Sequence, residues 1–254
     1  MRPSGLVVAK LYDDRHRFSS YWHTLRKLSV PVPATRVVSL PEAGLTSDVV
    51  GSVTAFMRRE GLSQAFVRSG FKAAPRRLRD GSLVHERSRA AVESTLHSLL
   101  NQHAAAGIPH GNEIVVRRRL DLDYCRFPAH NHAAEPRFFV EDGSILRHTG
   151  RTDTGLVPDC EGRYDHVVQA LDTAGSPKDI VETVANGLAD DGSPWAVDVV
   201  LDAHGEWWVT ELHLDGVRWD DDVRQWRNIC GQGDRPGLDP VWIHGAALPA
   251  LRNN

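Results

Sequence analysis

Residues 194–217 read PWAVDVVLDAHGEWWVTELHLDGV, and this stretch decides the fold of the chain. Two runs that alternate in the manner of strands, residues 196–202 and 207–215, flank a short polar loop, AHGE, at residues 203–206. This pattern predicts a β-hairpin. One face of it is apolar and is expected to join the core; the residues assigned to that face are Val197, Val199, Leu201, Trp208, Leu212 and Leu214.

The other face of the predicted hairpin carries acids. If the four-residue loop closes the hairpin, Val200 lies opposite Val209. Asp198 then lies opposite Glu211, with Cβ atoms about 4.5–5.5 Å apart. Two acids at that distance repel each other, so the pair requires a cation, a shared proton or abundant water. Acids concentrated on a core hairpin indicate a hard-cation site suited to Mg²⁺; the alternative is an ordinary hairpin with acids on a solvent-exposed face.

Composition bounds the class of protein. The chain has 254 residues, of which 41% are apolar and 25% charged, as in an ordinary globular protein. A net charge of −3 offers no bulk electrostatic argument for binding nucleic acid. Three separated cysteines, Cys125, Cys160 and Cys230, form no metal-ligand spacing, which predicts a reducing, cytoplasmic compartment. No apolar run is long enough to span a membrane, and no signal peptide is recognised.

A second motif follows a predicted strand at residues 64–68. Ser69-Gly70-Phe71-Lys72 forms a turn in which a glycine lets backbone N–H groups approach a phosphate. Lys72 adds a mobile positive charge. The alternative is a surface turn with solvated basic residues.

A third motif, EPRFFVEDGSILR, occupies residues 135–147. Its Asp142-Gly143 pair predicts a tight hairpin turn. Arg137 lies on one face of the first strand, together with Glu135 and Phe139.

Helices and further strands are predicted from apolar periodicity. The predicted helices cover about 13–28, 46–60, 88–106 and 177–188. The second begins at a Thr or Ser cap, and the last has a Ser176 cap and Pro177 at its first position. Further strands are predicted at 35–40, 83–84 and 113–120.

In this order the motifs resemble the ATP-grasp family over residues 18–217. The last two core strands of that family carry an acid, a glycine-containing turn, and then Glu-hydrophobic-Asn. Asp198, Gly205 and Glu211 match this pattern, whereas His213 stands where the family has Asn. The resemblance implies an α+β fold of two lobes whose antiparallel sheets hold ATP between them. Residues 1–112 would form the N-terminal lobe with the phosphate loop; residues 113–254 would form the C-terminal lobe with the metal-binding hairpin and a C-terminal tail.

The resemblance also implies ATP and Mg²⁺ (Mg2+) as cofactors and assigns roles to individual residues. Arg68 stands in place of a phosphate-binding lysine, Val115 to Arg117 form the hinge that reads adenine, and Asp121 or Asp123 holds the ribose. The expected nucleotide contacts are Arg68, Lys72, Val115, Val116, Arg117, Asp121 and Asp123. The expected catalytic residues, which face the phosphates or the substrate, are Arg137, Lys72 and Arg151. The expected metal ligands are Asp198, Glu211, His213 and Asp215.

The implied function is that of an ATP- and magnesium-dependent ligase, which activates a carboxylate or peptide substrate as an acyl-phosphate for attack by an amine. An alternative is an ATP-binding assembly factor or chaperone for a protein partner, without ligase turnover. A third hypothesis, a metal-dependent hydrolase, would use His130 and His132 with the two hairpin acids. Membrane and nucleic-acid partners are not expected. The variable loops 121–134 and 148–176 contain no motif that identifies the carboxylate or the amine.

Overall fold

The structure, a computed structural model, describes residues 17–70, 82–106, 110–122, 124–126, 131–150, 170–171, 174–214, 217–220 and 225–228. The chain divides into two compact units. Of the described residues, the first unit holds those up to His23 and Val32–Leu120, and the second holds Thr24–Pro31 and those from Asp121 onward. The main boundary between the two units therefore follows Leu120, whereas the predicted boundary between the two lobes lay between residues 112 and 113. The predicted C-terminal tail, 229–254, lies outside the described residues.

In the described part of the chain the predicted helices and strands are present to within a few residues. The strands Tyr124–Arg126, Asn131–Ala133, Val217–Asp220 and Gln225–Asn228 were not predicted. The helices are α1 (Phe18–Lys27), α2 (Ser47–Arg59), α3 (Arg89–Ala106) and α4 (Lys178–Leu188), followed by a 3-10 turn, Ala189–Asp191. The strands are β1 (Thr35–Ser39), β2 (Ala65–Ser69), β3 (Leu83–Val84), β4 (Glu113–Arg118), β5 (Tyr124–Arg126), β6 (Asn131–Ala133), β7 (Pro136–Glu141), β8 (Ser144–Gly150), β9 (Trp195–Leu201), β10 (Trp207–Leu214), β11 (Val217–Asp220) and β12 (Gln225–Asn228).

The first unit is built on a four-stranded antiparallel sheet with the strand order β1-β4-β2-β3. Helix α2 begins at the predicted cap, where the Thr46 hydroxyl accepts a hydrogen bond from the Val49 N–H at 3.4 Å. Apolar residues of α2 and α3 pack on one face of the sheet, where Met57, Leu96 and Leu99 of the helices and Ile114 of β4 are among the largest fully buried side chains. That face of the sheet is therefore filled by helices.

The second unit is built on another four-stranded antiparallel sheet, with the order β10-β9-β7-β8. The turn between β7 and β8 confirms the predicted hairpin, because Asp142 and Gly143 adopt positive φ values of 47° and 76°. Helix α4 buries its apolar face. The predicted Ser176 cap is wrong: the N-cap is Pro177, which makes no capping side-chain hydrogen bond. Two short pairs, β5 with β6 and β11 with β12, complete the described strands.

Among the described residues, no helix is both long and apolar enough to cross a membrane.

Candidate functional site in the second unit

The hairpin of β9 and β10 brings its two acids opposite each other, but by a different register from the one predicted. Near the turn Trp207 pairs with Leu201, and Val209 pairs with Val199 rather than with Val200. The register then shifts between Val209 and Glu211, so one extra residue, Thr210, forms a β-bulge. Beyond the bulge Glu211 pairs with Asp198.

The bulge also reassigns the two faces of the hairpin. Trp208 pairs with Val200 and therefore shares the acid face, although its place was predicted on the apolar face. Trp207 and Val209 move to the opposite face. An extra residue in a strand shifts the alternation of side chains by one position. The residues between the turn and the bulge therefore lie on the faces opposite to those predicted.

Asp198 lies at the centre of the acid face and is bound by an arginine from the neighbouring strand. Strand β7 pairs with β9 so that Arg137 is directly opposite Asp198. The Arg137 Nε donates to Oδ1 at 2.6 Å, and Nη2 donates to Oδ2 at 3.0 Å. This is the bidentate geometry that a planar guanidinium offers a carboxylate. The Asp198 side chain is 1% exposed and that of Arg137 is 27% exposed, so Arg137 forms the solvent-facing side of the pair.

His213 joins the two acids from β10. Its Nε2 lies 3.1 Å from Asp198 Oδ2 and 3.3 Å from Glu211 Oε2. One ligand atom from each of the three residues can be chosen so that all lie within 4.8 Å of one another. His213 is held there by the ladder, in which it pairs with the small, fully buried Ala196.

The donor set fits a divalent cation. Counting the carboxylates of Asp198 and Glu211 and the guanidinium of Arg137, these described residues carry one excess negative charge when His213 is neutral. Buried carboxylates require compensation by a partner charge. Carboxylate oxygens and one imidazole nitrogen are ordinary ligands of divalent metals. Asp198, Glu211 and His213 are the described residues that would hold such an ion.

Comparisons with known proteins identify the fold. No protein-family model and no curated protein matches the chain. Among solved structures, D-cycloserine synthetase DcsG matches with 16% identity over 92% of this chain and 67% of its own length, at a TM-score of 0.50. This chain has the ATP-grasp fold.

Two further solved structures with this fold are more distant. The D-alanine-D-alanine ligase from Coxiella burnetii matches with 11% identity over 82% of this chain and 50% of its own length, at a TM-score of 0.44. A RimK domain ATP-grasp protein from Sphaerobacter thermophilus matches with 16% identity over 82% of this chain and 59% of its own length, at 0.39. The chain thus spans between about half and two thirds of these proteins.

Asp202, at the end of β9, organises the hairpin loop, a role that sequence reasoning missed. Its Oδ1 accepts the backbone N–H groups of His204 at 2.9 Å and Glu206 at 3.0 Å, and Oδ2 accepts the Trp208 indole N–H at 2.8 Å. Burial alone would raise the pKa of the Asp202 carboxyl, but these three hydrogen bonds outweigh it and lower the pKa. The signal was an Asp three residues before a turn glycine, Gly205, which has a φ of 85°.

Arg68, expected to contact phosphate, is turned toward its own backbone in the first unit of this ATP-grasp fold. Its Nε donates to the Ser69 carbonyl at 3.0 Å, and Nη2 donates to the Gly70 carbonyl at 3.3 Å. The guanidinium carbons of Arg68 and Arg117 lie 5.6 Å and 5.5 Å from the centre of the Phe18 ring. Both arginines are more than nine-tenths buried. We name Phe18, Arg68, Gly70 and Arg117 the Phe18 cluster.

Gly70 is the point at which this cluster meets the predicted phosphate loop. Its carbonyl accepts the Phe18 N–H at 3.0 Å, and its N–H donates to the Glu113 carbonyl at 3.1 Å. A Cβ at Gly70 would lie 2.3 Å from Glu113 Cγ, so any larger residue would force the Glu113 side chain to move.

The predicted hinge needs a correction. Val115, Val116 and Arg117 lie inside β4, which pairs with β1 on one side and β2 on the other. Their backbone groups therefore belong to the two ladders and are not available to read an adenine edge.

The remaining predicted site residues lie mostly outside the described part of the chain. Asp121 is exposed, and its carbonyl accepts a hydrogen bond from the Ala203 N–H at 2.8 Å. The others lie outside the described residues; they are Lys72, Asp123, Arg151, Asp215 and His130.

Proposed function

We propose that this chain is an ATP- and divalent-cation-dependent ligase, which activates a carboxylate as an acyl-phosphate for attack by an amine. The observation that carries the proposal is the convergence of Arg137, Glu211 and His213 on Asp198 in a chain with the ATP-grasp fold. The similarity to a protein named D-cycloserine synthetase supports a ligase of this broad class.

Asp198, Glu211 and His213 would hold the cation, which when bound would neutralise negative charge on the phosphates. Arg137 keeps Asp198 in a fixed orientation through two hydrogen bonds. Its guanidinium, the most exposed member of the group, would also face the transferred phosphoryl group and offset its developing negative charge. Lys72 and Arg151 are proposed as further positive contacts to phosphate or substrate.

The chemistry requires no nucleophile from the protein. A carboxylate oxygen of the substrate attacks the γ-phosphorus, the bond from that phosphorus to the β–γ bridging oxygen breaks, and ADP leaves. An amine nitrogen then attacks the acyl carbon, phosphate leaves, and the amine loses a proton. The residues bind, orient and neutralise charge, which is how proteins accelerate phosphoryl transfer.

The test is calorimetric titration with a non-hydrolysable ATP analogue, with and without Mg²⁺. We expect Mg²⁺-dependent binding by the wild type and its loss in Glu211→Gln, because the neutral amide is a weaker cation ligand. Glu206→Gln is the matched control, since Glu206 is exposed in the loop of the same hairpin; it should bind as the wild type does. Absence of nucleotide binding under every condition would refute the proposal.

Release of ADP separates the ligase from an ATP-binding assembly factor. A ligase should release ADP continuously when a suitable carboxylate and amine are both present. A screen of such pairs against the Glu211→Gln background distinguishes this turnover from contaminating ATPase activity. Nucleotide binding with no turnover on any pair would favour the assembly factor.

A further inference from the structure

His213 gives this cation site an unusual donor set for a magnesium protein. Mg²⁺ prefers six oxygen ligands at about 2.0–2.1 Å. Here one of the three described donors is an imidazole nitrogen, which suits first-row transition metals better than it suits Mg²⁺. Mn²⁺ accepts both kinds of donor, because it also binds carboxylate and water well.

The spacing of the donor atoms fits a shared ion. Two adjacent ligands at right angles around an ion, each about 2.1 Å away, lie about 3.0 Å apart. The His213 Nε2 is 3.1 Å from Asp198 Oδ2 and 3.3 Å from Glu211 Oε2. The imidazole nitrogen is therefore already at the separation expected of a ligand next to each acid.

Arg137 leaves this arrangement compatible with a cation. Its Nε donates a hydrogen bond to Asp198 Oδ1 at 2.6 Å, and its Nη2 donates one to Oδ2 at 3.0 Å. Asp198 Oδ2 has two lone pairs, of which one accepts from Arg137 and the other faces His213 Nε2 at 3.1 Å. When the proton of His213 is on its other ring nitrogen, that second lone pair and Nε2 can both face an ion. With two acids and one guanidinium, a divalent ion makes the group positive, as a site facing anionic phosphates requires.

We infer that His213 is a direct metal ligand and that it shifts the preference of the site from Mg²⁺ toward Mn²⁺. The inference rests on the proposed function only for the location of the cation site. It concerns the protein and metal without nucleotide, so it can stand or fall separately from nucleotide binding.

The experiment measures Mn²⁺ binding to the full chain by electron paramagnetic resonance. Free Mn²⁺ gives the signal, and the signal decreases as Mn²⁺ binds to the protein. Competition with Mg²⁺ yields the ratio of the two dissociation constants. We expect His213→Asn to lower the preference for Mn²⁺ by about tenfold or more, since loss of even a supporting partner of a metal ligand costs about that much. His204→Asn, which changes an exposed histidine of the same hairpin, should leave the ratio unchanged.

A second readout does not depend on any variant. Electron spin-echo modulation of bound Mn²⁺ in the wild type should contain the coupling of a directly bound nitrogen. Circular dichroism checks that His213→Asn is folded; if it is not, the nitrogen coupling decides. Unchanged metal preference in folded His213→Asn, no nitrogen coupling, or no Mn²⁺ binding by the wild type would each overturn the inference. Mn²⁺ binding without nucleotide binding would support it while refuting the proposed ligase.

Discussion

The acid face of the second unit and the Phe18 cluster of the first unit use arginine in opposite ways. Arg137 is bound to one carboxylate and keeps 27% of its side chain exposed, so it can also meet a ligand. Arg68 is 7% exposed, and its Nε and Nη2 donate to the carbonyls of Ser69 and Gly70. Both were expected to contact phosphate. The difference teaches that the surroundings of a basic residue, rather than its position in a motif, determine whether its charged group stays accessible to a ligand.

The largest effect should come from Asp198→Ala, which breaks the acid face. The Arg137 guanidinium would lose its carboxylate in a largely buried position, and we expect a loss of about 3 kcal/mol in the free energy of unfolding. Urea denaturation measures the loss, and the Mn²⁺ titration should show no binding. A variant that kept full cation affinity would show that Asp198 is not a ligand.

A smaller effect is expected from Arg68→Met, which tests the Phe18 cluster. The variant loses two charged hydrogen bonds to carbonyls and the contact with the Phe18 ring, and we expect a loss of about 2 kcal/mol in stability. Cation binding, measured as for Asp198→Ala, should be unchanged. If Arg68→Met instead weakened cation binding as strongly as it weakened stability, the contrast between the two regions would be lost.

The smallest effect should come from Asp202→Asn and appears in its pH dependence. The pKa of the Asp202 carboxyl is lowered from its ordinary value of 3.8, so the folded state binds the proton less readily than the unfolded state. Its stabilising contribution is therefore present above pH 3.8 and is lost as the pH falls through the lower folded pKa. Urea denaturation over a series from about pH 7 down to about pH 2.5, which spans the ordinary range of an Asp carboxyl, should show a shallower loss of stability toward acid for Asp202→Asn.

The control for that profile is Asp121→Asn, which changes an exposed carboxyl of the same unit. It should retain the wild-type slope. Equal slopes for the wild type and Asp202→Asn would mean that the hydrogen bonds of the loop do not favour the ionised carboxylate.

Local chemistry made much of the fold predictable. The Asp142-Gly143 turn, the Thr46 cap and the apolar face of α2 each depend on residues within a few positions, and the structure has all three. The opposition of Asp198 and Glu211 was also predicted, although through the wrong register near the turn. Strand alternation specifies faces only while no residue is added, and nothing in the Trp-Val-Thr-Glu run indicated that Thr210 would form a bulge.

The contacts that define the site could not be read from the sequence because they join distant segments. Arg137 and Asp198 are 61 residues apart and meet only because β7 pairs with β9. Likewise, residues 115–117 looked like a hinge until β1 and β2 were found on both sides of β4. Strand order is a property of the whole unit, whereas turn and cap chemistry is local.

The adjacency of β7, β9 and β10 has a consequence for how the group responds to a ligand. Neighbouring strands lie about 4.7–4.9 Å apart, and the three charged or ligating strand positions are held at that spacing by the ladders. The charges are thus brought together when the sheet forms, and little reorganisation is left for the moment of binding. Loops around the sheet could be exchanged to recognise other substrates while this preorganised centre stayed the same.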